Sequence, residues 1–518
     1  MKRIIIITAA VILSSFIVMA QTEFDALKLV ENDINGTARY ISMAGAFGAL
    51  GGDPSAIKDN PAGLGIFRKS ELTGTLNAFV QRTKADWNGE TANDDLYKLN
   101  LNNVSLILAV PTWRRQNGSS GLLNSNWAFN YNRLNNFNRS LNAKSGLSNS
   151  SITDYIANFS SGLLGDDMSW TEDYEPFDNI QIPWISLLAY NGYLINETSQ
   201  NSGTWNPLLN DGEKVTPSYS LEEKGFVDEY SLGWSGNFSN IFFLGATINM
   251  KSIEYKVNSV FSESFGGGGG LSLANDYSTS GAGVNLNLGA IFVPVDFMRV
   301  GLSLHSPTIY TLTDNYYAKM NYDSGPDKVG WITTPEDGYS EYKIQSPLQY
   351  DISVAFIAGT KGLLSAEYSA SNYSGTRLMS IEGNTQEFNF ENDGMREMIN
   401  NARTIKVGGE YKVTDNFAIR AGYANSSSPT KPTAVKLMRD NTMRTDTEYF
   451  LRNRTDYLSA GFGYQESNWH IDFAFMNKIQ DESYYPYNAN NLGDNLKVTP
   501  AKVITSNNNL VVTLGFKF

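Results

Sequence analysis

The sequence predicts an all-β protein, a transmembrane antiparallel β-barrel of about fourteen strands closed around an N-terminal plug. Three observations point to it. After residue 68 the chain breaks into short segments in which apolar and small polar residues alternate, the pattern of a strand with one apolar and one polar face. Aromatic residues make up 12% of the chain and charged residues only 18%, yet beyond Gln21 no uncharged apolar run approaches the roughly 20 residues that a membrane helix needs. A chain of this kind crosses a membrane with strands. Finally, residues 36–67, GTARYISMAGAFGALGGDPSAIKDNPAGLGIF, lack the alternation and are rich in Gly and Ala, with Asp53-Pro54 and Asn60-Pro61 forbidding a long regular element. Such a segment needs an enclosure.

In chain order, Lys2 and Arg3 precede an apolar run, Ile4 to Ala20, that ends Val18-Met19-Ala20 before Gln21. This predicts a secretory signal peptide over residues 1–20. No Cys follows it, which excludes lipoprotein processing. Residues 21–67 are the expected plug, with a short helix near Asp25 to Glu31. The barrel, residues 68–518, then begins with Leu72, Gly74, Leu76, Ala78 and Val80 on one face, followed by Val104 to Val110 and by Trp127, Phe129 and Tyr131. Residues 141–224 interrupt the alternation, and within them Ile152, Tyr155, Ile156, Phe159 and Leu163 recur at helical spacing. Strands resume at Tyr230 and at Phe242. The alternation is cleanest at Val284, Leu286, Leu288, Ala290 and Phe292 against Asn285, Asn287 and Gly289, and continues through strands near 300, 350, 364, 405, 417, 458, 469 and 510. Tight turns alternate with long segments expected to be extracellular loops, at about 141–224, 262–275, 319–340, 376–402, 425–453 and 479–507. That asymmetry belongs to outer-membrane barrels, with short periplasmic turns and long outer loops. Kinks in the wall are expected at Pro111, Pro307 or the Gly408-Gly409 pair.

Composition excludes much chemistry. With no Cys and two His there is no disulfide, zinc-thiolate site or cysteine nucleophile, and a net charge of −13 argues against nucleic-acid binding. His305 and His470 lie opposite the apolar residues of their strands, so both are expected to face the lumen; no GxSxG elbow flanks Ser303 or Ser306, which leaves a Ser-His hydrolase unsupported. No catalytic residue, metal or cofactor is expected. The acidic residues between Asp166 and Asp178 have no EF-hand spacing and read as a solvated loop.

Gly36-Thr37-Ala38-Arg39, Ala44-Gly45-Ala46, Asp53 and above all Asn60-Pro61-Ala62, placed between a Gly-rich plug and the first strand, resemble the N-terminal hatch and NPA motif of the FadL/TodX family of outer-membrane transport proteins. The resemblance implies a Gram-negative outer-membrane location and passive transport of hydrophobic compounds such as long-chain fatty acids or hydrocarbons. In such proteins ligand is captured by outer loops, held in an apolar pocket above the hatch and released sideways through the barrel wall into the membrane lipid. It assigns the gate to Asn60, Pro61 and Ala62, and C-terminal Phe518 to recognition by the barrel-assembly machinery. Apolar plug residues Phe47, Leu50, Ile57, Leu64 and Phe67 are candidates for lining the ligand path, or for packing the plug against the wall. A gated porin for small solutes and a surface-adhesion protein are the alternative functions.

Overall fold

A computed structural model of the chain describes residues 21–113, 120–210, 212–336, 338–493 and 496–518; the expected signal peptide lies outside the described residues. The wall begins with β1 (Glu71–Trp87), β2 (Glu90–Pro111), β3 (Leu122–Asn136) and its continuation β4 (Arg139–Lys144). A small hairpin in the outer loop, β5 (Ile195–Glu197) and β6 (Trp205–Pro207), precedes the long strands β7 (Val215–Phe238), β8 (Phe242–Phe265) and β9 (Gly270–Val295). Two strands are then broken in the middle: β10 (Met298–His305) with β11 (Ile309–Asp323), and, after the short β12 (Val329–Thr333), β13 (Gly338–Gln345) with β14 (Gln349–Ala358). β15 (Gly362–Asn372) with β16 (Arg377–Met379), then β17 (Asn401–Lys412), β18 (Phe417–Ser427), β19 (Tyr449–Gln465), β20 (Trp469–Tyr485) and β21 (Ala501–Lys517) complete the wall. All neighbours pair antiparallel, and β21 returns to β1 over Glu71↔Lys517 to Asp86↔Lys502, closing fourteen barrel strands.

The wall is inverted relative to a soluble protein. Leu106, Leu232, Ile248, Leu286, Ile352 and Leu510, each on the apolar face of its strand, point outward and are exposed. The alternate positions, such as Thr75, Asn103, Asn130, Thr247, Asn287 and Ser353, are buried inside. Only a hydrocarbon surround makes that arrangement favourable, and closure leaves no unpaired sheet edge along most of the wall.

Several strands run far past the membrane. Transmembrane strands need only about 9–11 residues, but β8 and β9 have 24 and 26. The expected loop at 262–275 is therefore corrected: β8 and β9 pair up to Ser264↔Gly270, and the glycine run is a tight turn in which Gly268 and Gly269 adopt φ of 101° and 81°. Likewise 319–340 is mostly paired strand, and the loops expected at 141–224, 425–453 and 479–507 shrink to 145–214, 428–448 and 486–500. Beyond the lipid, outward positions turn polar, so pairing persists where the alternation of hydrophobicity has ended. The segment 376–402 holds β16 and a helix over Asn389–Met398.

The helix expected in the large outer loop is present over Ile152–Phe159, with a capping box from Ser151 and Asp154. Pro307 breaks a strand as expected, between His305 and Ile309, and Pro347 breaks the neighbouring strand opposite it; Thr308 and Ser346 bridge the two breaks by N–H bonds of 2.8 and 2.9 Å. Pro111 ends β2, while Gly408 and Gly409 lie in an unbroken β17.

Candidate functional site

The hatch threads the lumen as two helices, α1 (Glu23–Val30) and α2 (Ala38–Ser42), and two short 3-10 helices, Pro54–Ile57 and Pro61–Ile66. The turns follow from local chemistry. Asp53 and Asn60 each cap a turn that starts with Pro, whose missing N–H costs nothing there. Asn60 does more than cap. Its Oδ1 accepts from Ala62 N (3.1 Å), and its amide donates to Gly48 O (2.7 Å) within the hatch and to Ala290 O (3.2 Å) on β9.

The wall is shaped to receive this backbone. At lumen-facing positions where other strands carry Asn, Ser or Thr, the strands beside the hatch carry glycine. A Cβ on Gly245 would lie 2.4 Å from the carbonyl of Pro61, one on Gly289 2.0 Å from Asn60 Oδ1, and one on Gly422 2.3 Å from Met43. Inward asparagines satisfy hatch carbonyls: Asn126 donates to Leu64 O and Phe67 O (both 2.9 Å), Asn130 to Pro54 O and Asn287 to Lys58 O. These wall residues escaped sequence reasoning. The available signal was glycine in the polar phase of a strand, at a position that needs no turn.

Ionic clusters around Asp59 and around Arg39 join this part of the hatch to the wall. Asp59 accepts from Tyr40 OH (2.5 Å) and Lys58 (3.2 Å) and lies 3.7 Å from Lys406 of β17, which also pairs with Glu367 of β15 at 2.7 Å; Glu367 in turn accepts from Gly48 N (2.8 Å). Burial alone would raise the Asp59 carboxyl, but Lys406 and Lys58 hold it below its ordinary value. On the periplasmic side, Arg39 pairs with Glu410 (3.0 Å), which also takes Arg420, itself bonded to Asp472. Both histidines face inward and serve structure: Ser303 and His305 each bond to Asp351 rather than to one another, and His470 bridges Asp472 and Glu71. Among the described residues no three metal-ligating side chains gather, and within the acidic loop Asp166 bonds Asn201 while Glu175 bonds Trp170.

The five candidate lining residues are buried in apolar clusters. Phe47 and Leu50 join a buried cluster with Ile41 and Met43; Ile57, Leu64 and Phe67 pack on Ile107 and Ala128 of the wall. None lines the chambers described next. The chamber directly above the hatch, about 180 Å³, is polar, faced by Lys58, Asp59, Glu229, Lys251, His305 and Lys406, which corrects the expectation of an apolar pocket there. Val30, Ile34 and Leu134 also reach it, but charged and polar side chains predominate because wall positions there must satisfy the hatch's charges.

Farther out, beyond α1, lies a second chamber of about 220 Å³ with aromatic walls, including Tyr219, Tyr255, Tyr277, Tyr449 and Phe450. Helix α1 forms its floor with Phe24, Leu27 and Lys28. On that helix Glu23 is buried, and burial pushes its carboxyl up to about 7 despite the amide of Leu437 and the charge of Lys436. Because the folded value exceeds the unfolded one, the protonated form is favoured by folding; this contribution is complete below about pH 4.5 and is lost as pH rises to about 7, worth about 3 kcal/mol. Amide exchange of α1, corrected for intrinsic rates, is expected to be faster at pH 8 than at pH 5, and Glu23→Gln to abolish the difference.

A small space lined by Asn77, Asn100, Asn102, Asn136 and Asn138 shares Asn136, Asn138, Lys478 and Asn507 with the outer chamber and lies beside a defect in the wall. β2 pairs with β3 over residues 103–111 alone; over 90–102 its described pairing is with β1. β3 slips register against β7 at Arg133/Asn135, ends at Asn136, and resumes as β4, still on β7. Gly225 of β7 permits the kink, with φ of 124°, its carbonyl accepting from Phe137 N at 3.0 Å and no room for a Cβ, which would sit 2.0 Å from Glu254 O. At the defect Tyr97 and Leu99 are 65% and 70% exposed.

A lumen-filling hatch, a fourteen-strand wall and this defect invite comparison with known proteins. The model of the outer membrane protein transport protein family (OMPP1/FadL/TodX) matches residues 227–517, more than half of the chain. The chain belongs to this family. Being an OMPP1/FadL/TodX protein, it is a transport protein of the Gram-negative outer membrane, in a family of channels rather than enzymes. Its fold is similar to that of a Pseudomonas aeruginosa FadL homologue (14% identity, 94% of this chain and 100% of that one, TM-score 0.53). It is also similar to the Pseudomonas putida toluene transporter TodX (12% identity, 94% and 100%, TM-score 0.50). No curated protein matches the sequence. The family match begins after the hatch, so the Asn60-Pro61-Ala62 motif stands outside it.

Proposed function

We propose that the protein passively admits small hydrophobic or amphipathic molecules, long-chain fatty acids and hydrocarbons among the classes to test, by way of the outer chamber and a sideways exit between β2 and β3 into the outer membrane. The observation that carries this reading is the pairing defect beside a lumen plugged below it. The Asn60-Pro61-Ala62 turn, seated in glycine niches, is the part of the hatch we assign as gate. A lipophilic solute leaving sideways keeps its apolar surface away from water, whereas the route through the polar chamber and hatch would expose it. Tyr97, Leu99 and Leu101 provide apolar side chains at the exit. Transport by TodX of toluene, and the family match, are consistent with it.

The test is uptake of radiolabelled toluene, palmitate and 2-naphthol by cells with and without the gene. Loss of uptake of any one supports the reading; unchanged uptake of all three overturns it. In the same assay Asn100→Trp, which fills the small space behind the defect, is expected to lower uptake about tenfold while leaving the barrel folded. A gated porin would instead let sugars swell liposomes, by way of the polar chamber.

A further inference from the structure

The outer chamber has a chemistry of its own. Its cations are already committed to carboxylates: Lys28 to Glu223, Arg139 to Glu482, Lys436 to Asp446, Arg444 to Asp25 and Asp446, Arg452 to Glu31, and Lys478 to Asp33. Its remaining acid, Glu448, is pushed up by burial and then by Asp446, and accepts from Tyr219 OH and Ser259 Oγ. The lining is therefore balanced and offers an incoming anion no free cation. An ion brought in would lose its hydration without gaining a counter-charge.

Polar capacity is nevertheless left over. Among the lining residues, Arg139 Nε, Asn275 Nδ2, Arg452 Nε, Thr505 Oγ1 and Asn507 Oδ1 are buried without a partner. Donors and acceptors both occur, so the vacancy suits neutral oxygen-bearing groups, and a bare hydrocarbon would leave these atoms unsatisfied.

The walls supply rigid flat surfaces. Tyr219 stacks on Tyr484 with centroids 4.5 Å apart, Tyr277 on Tyr316 at 5.3 Å and Tyr449 on Tyr485 at 4.9 Å; in each pair the first ring faces the chamber and the second backs it. Rings fixed in this way bind another ring or apolar face with little loss of side-chain freedom.

We propose that the outer chamber selects an uncharged, ring-bearing amphiphile carrying hydroxyl or carbonyl groups, in preference to a carboxylate or a plain hydrocarbon. This inference rests on the transport reading above and narrows its cargo.

Three probes with one carbon frame test it: 2-naphthol, naphthalene and 2-naphthoate, measured by equilibrium dialysis against the full-length protein in lipid nanodiscs, with empty nanodiscs as reference. 2-Naphthol is expected to bind at least about tenfold more tightly than either of the others. In Asn275→Leu/Thr505→Val, checked for folding by its heat-resistant migration on a gel, that preference is expected to shrink towards unity. Equal or tighter binding of naphthalene or naphthoate overturns the inference, as does an unchanged preference in the folded variant. Absence of binding by all three also overturns it. The transport reading falls on unchanged uptake of toluene, palmitate and 2-naphthol alike in cells lacking the gene, whereas this inference falls on the relative affinities of the three naphthalene probes, so the two failures are separable.

Discussion

Replacing Gly245 and Gly289 together by valine is expected to produce a sustained ion conductance in planar bilayers that the unaltered protein lacks. Both glycines face the lumen on adjacent strands, paired directly with one another, and the Asn60-Pro61-Ala62 turn lies against them. At Gly245 the intruding Cβ meets backbone, the Pro61 carbonyl at 2.4 Å and Ala62 N at 2.5 Å, so no side-chain rotation can relieve it. Overpacking typically costs about 1–3 kcal/mol per site, and displacement of the turn also breaks the buried bonds of Asn60 to Gly48 O and Ala290 O. The wall is stitched by continuous ladders and has no such weak point here; the hatch is what yields. Gly409→Val is the control, since its nearest neighbour is Leu363 O at 3.4 Å. A folded double variant that stays electrically silent would show that the turn is not what seals the lumen.

Lys406→Met is expected to loosen the hatch and lower the temperature at which the folded barrel loses its compact migration on a detergent gel. Lys406 is the wall's contribution to the cluster that holds Asp59 and, through Glu367, the amide of Gly48. Removing it leaves Glu367, whose side chain is fully buried, without its counter-charge. Breaking one side of a buried pair costs about 3–5 kcal/mol, and because Lys406 lines the polar chamber the lower end applies. Adding Glu367→Gln removes the stranded charge while keeping an oxygen for Gly48 N, so the double variant should regain much of the loss. Protease cleavage within residues 21–67 reports the same order: rapid in Lys406→Met, slow in the double variant and slower in the unaltered protein. Equal cleavage in all three would remove the cluster's role as an anchor.

The sequence and the structure agree where one physical cause acts alone. Leu286 and Leu288 against Asn285 and Asn287 mark a strand between lipid and lumen, because within the bilayer every outward residue must be apolar. The helix at Ile152–Phe159 is legible for a similar reason, since a single apolar stripe packs on one surface. Where causes overlap, the reading failed. Residues 262–275 look loose because glycines depress strand propensity, yet Gly268 and Gly269 supply the left-handed turn that a tight hairpin requires, and Leu271 and Leu273 are buried within the strand that follows. Phe47, Leu50, Ile57, Leu64 and Phe67 were identifiable as buried, but apolarity does not distinguish contact with a ligand from contact with the wall.

The sequence by itself determined the barrel, its inside-out polarity, the plug and the Asn60 turn, because each is encoded in neighbours a few residues apart. Tertiary structure alone decided the glycine niches, the ionic anchor through Lys406, the defect between β2 and β3 and the aromatic outer chamber. Each of these joins residues far apart in the chain, as Gly289 meets Asn60 and Tyr219 meets Tyr484. Their chemistry depends on register and curvature, which no local pattern of residues records.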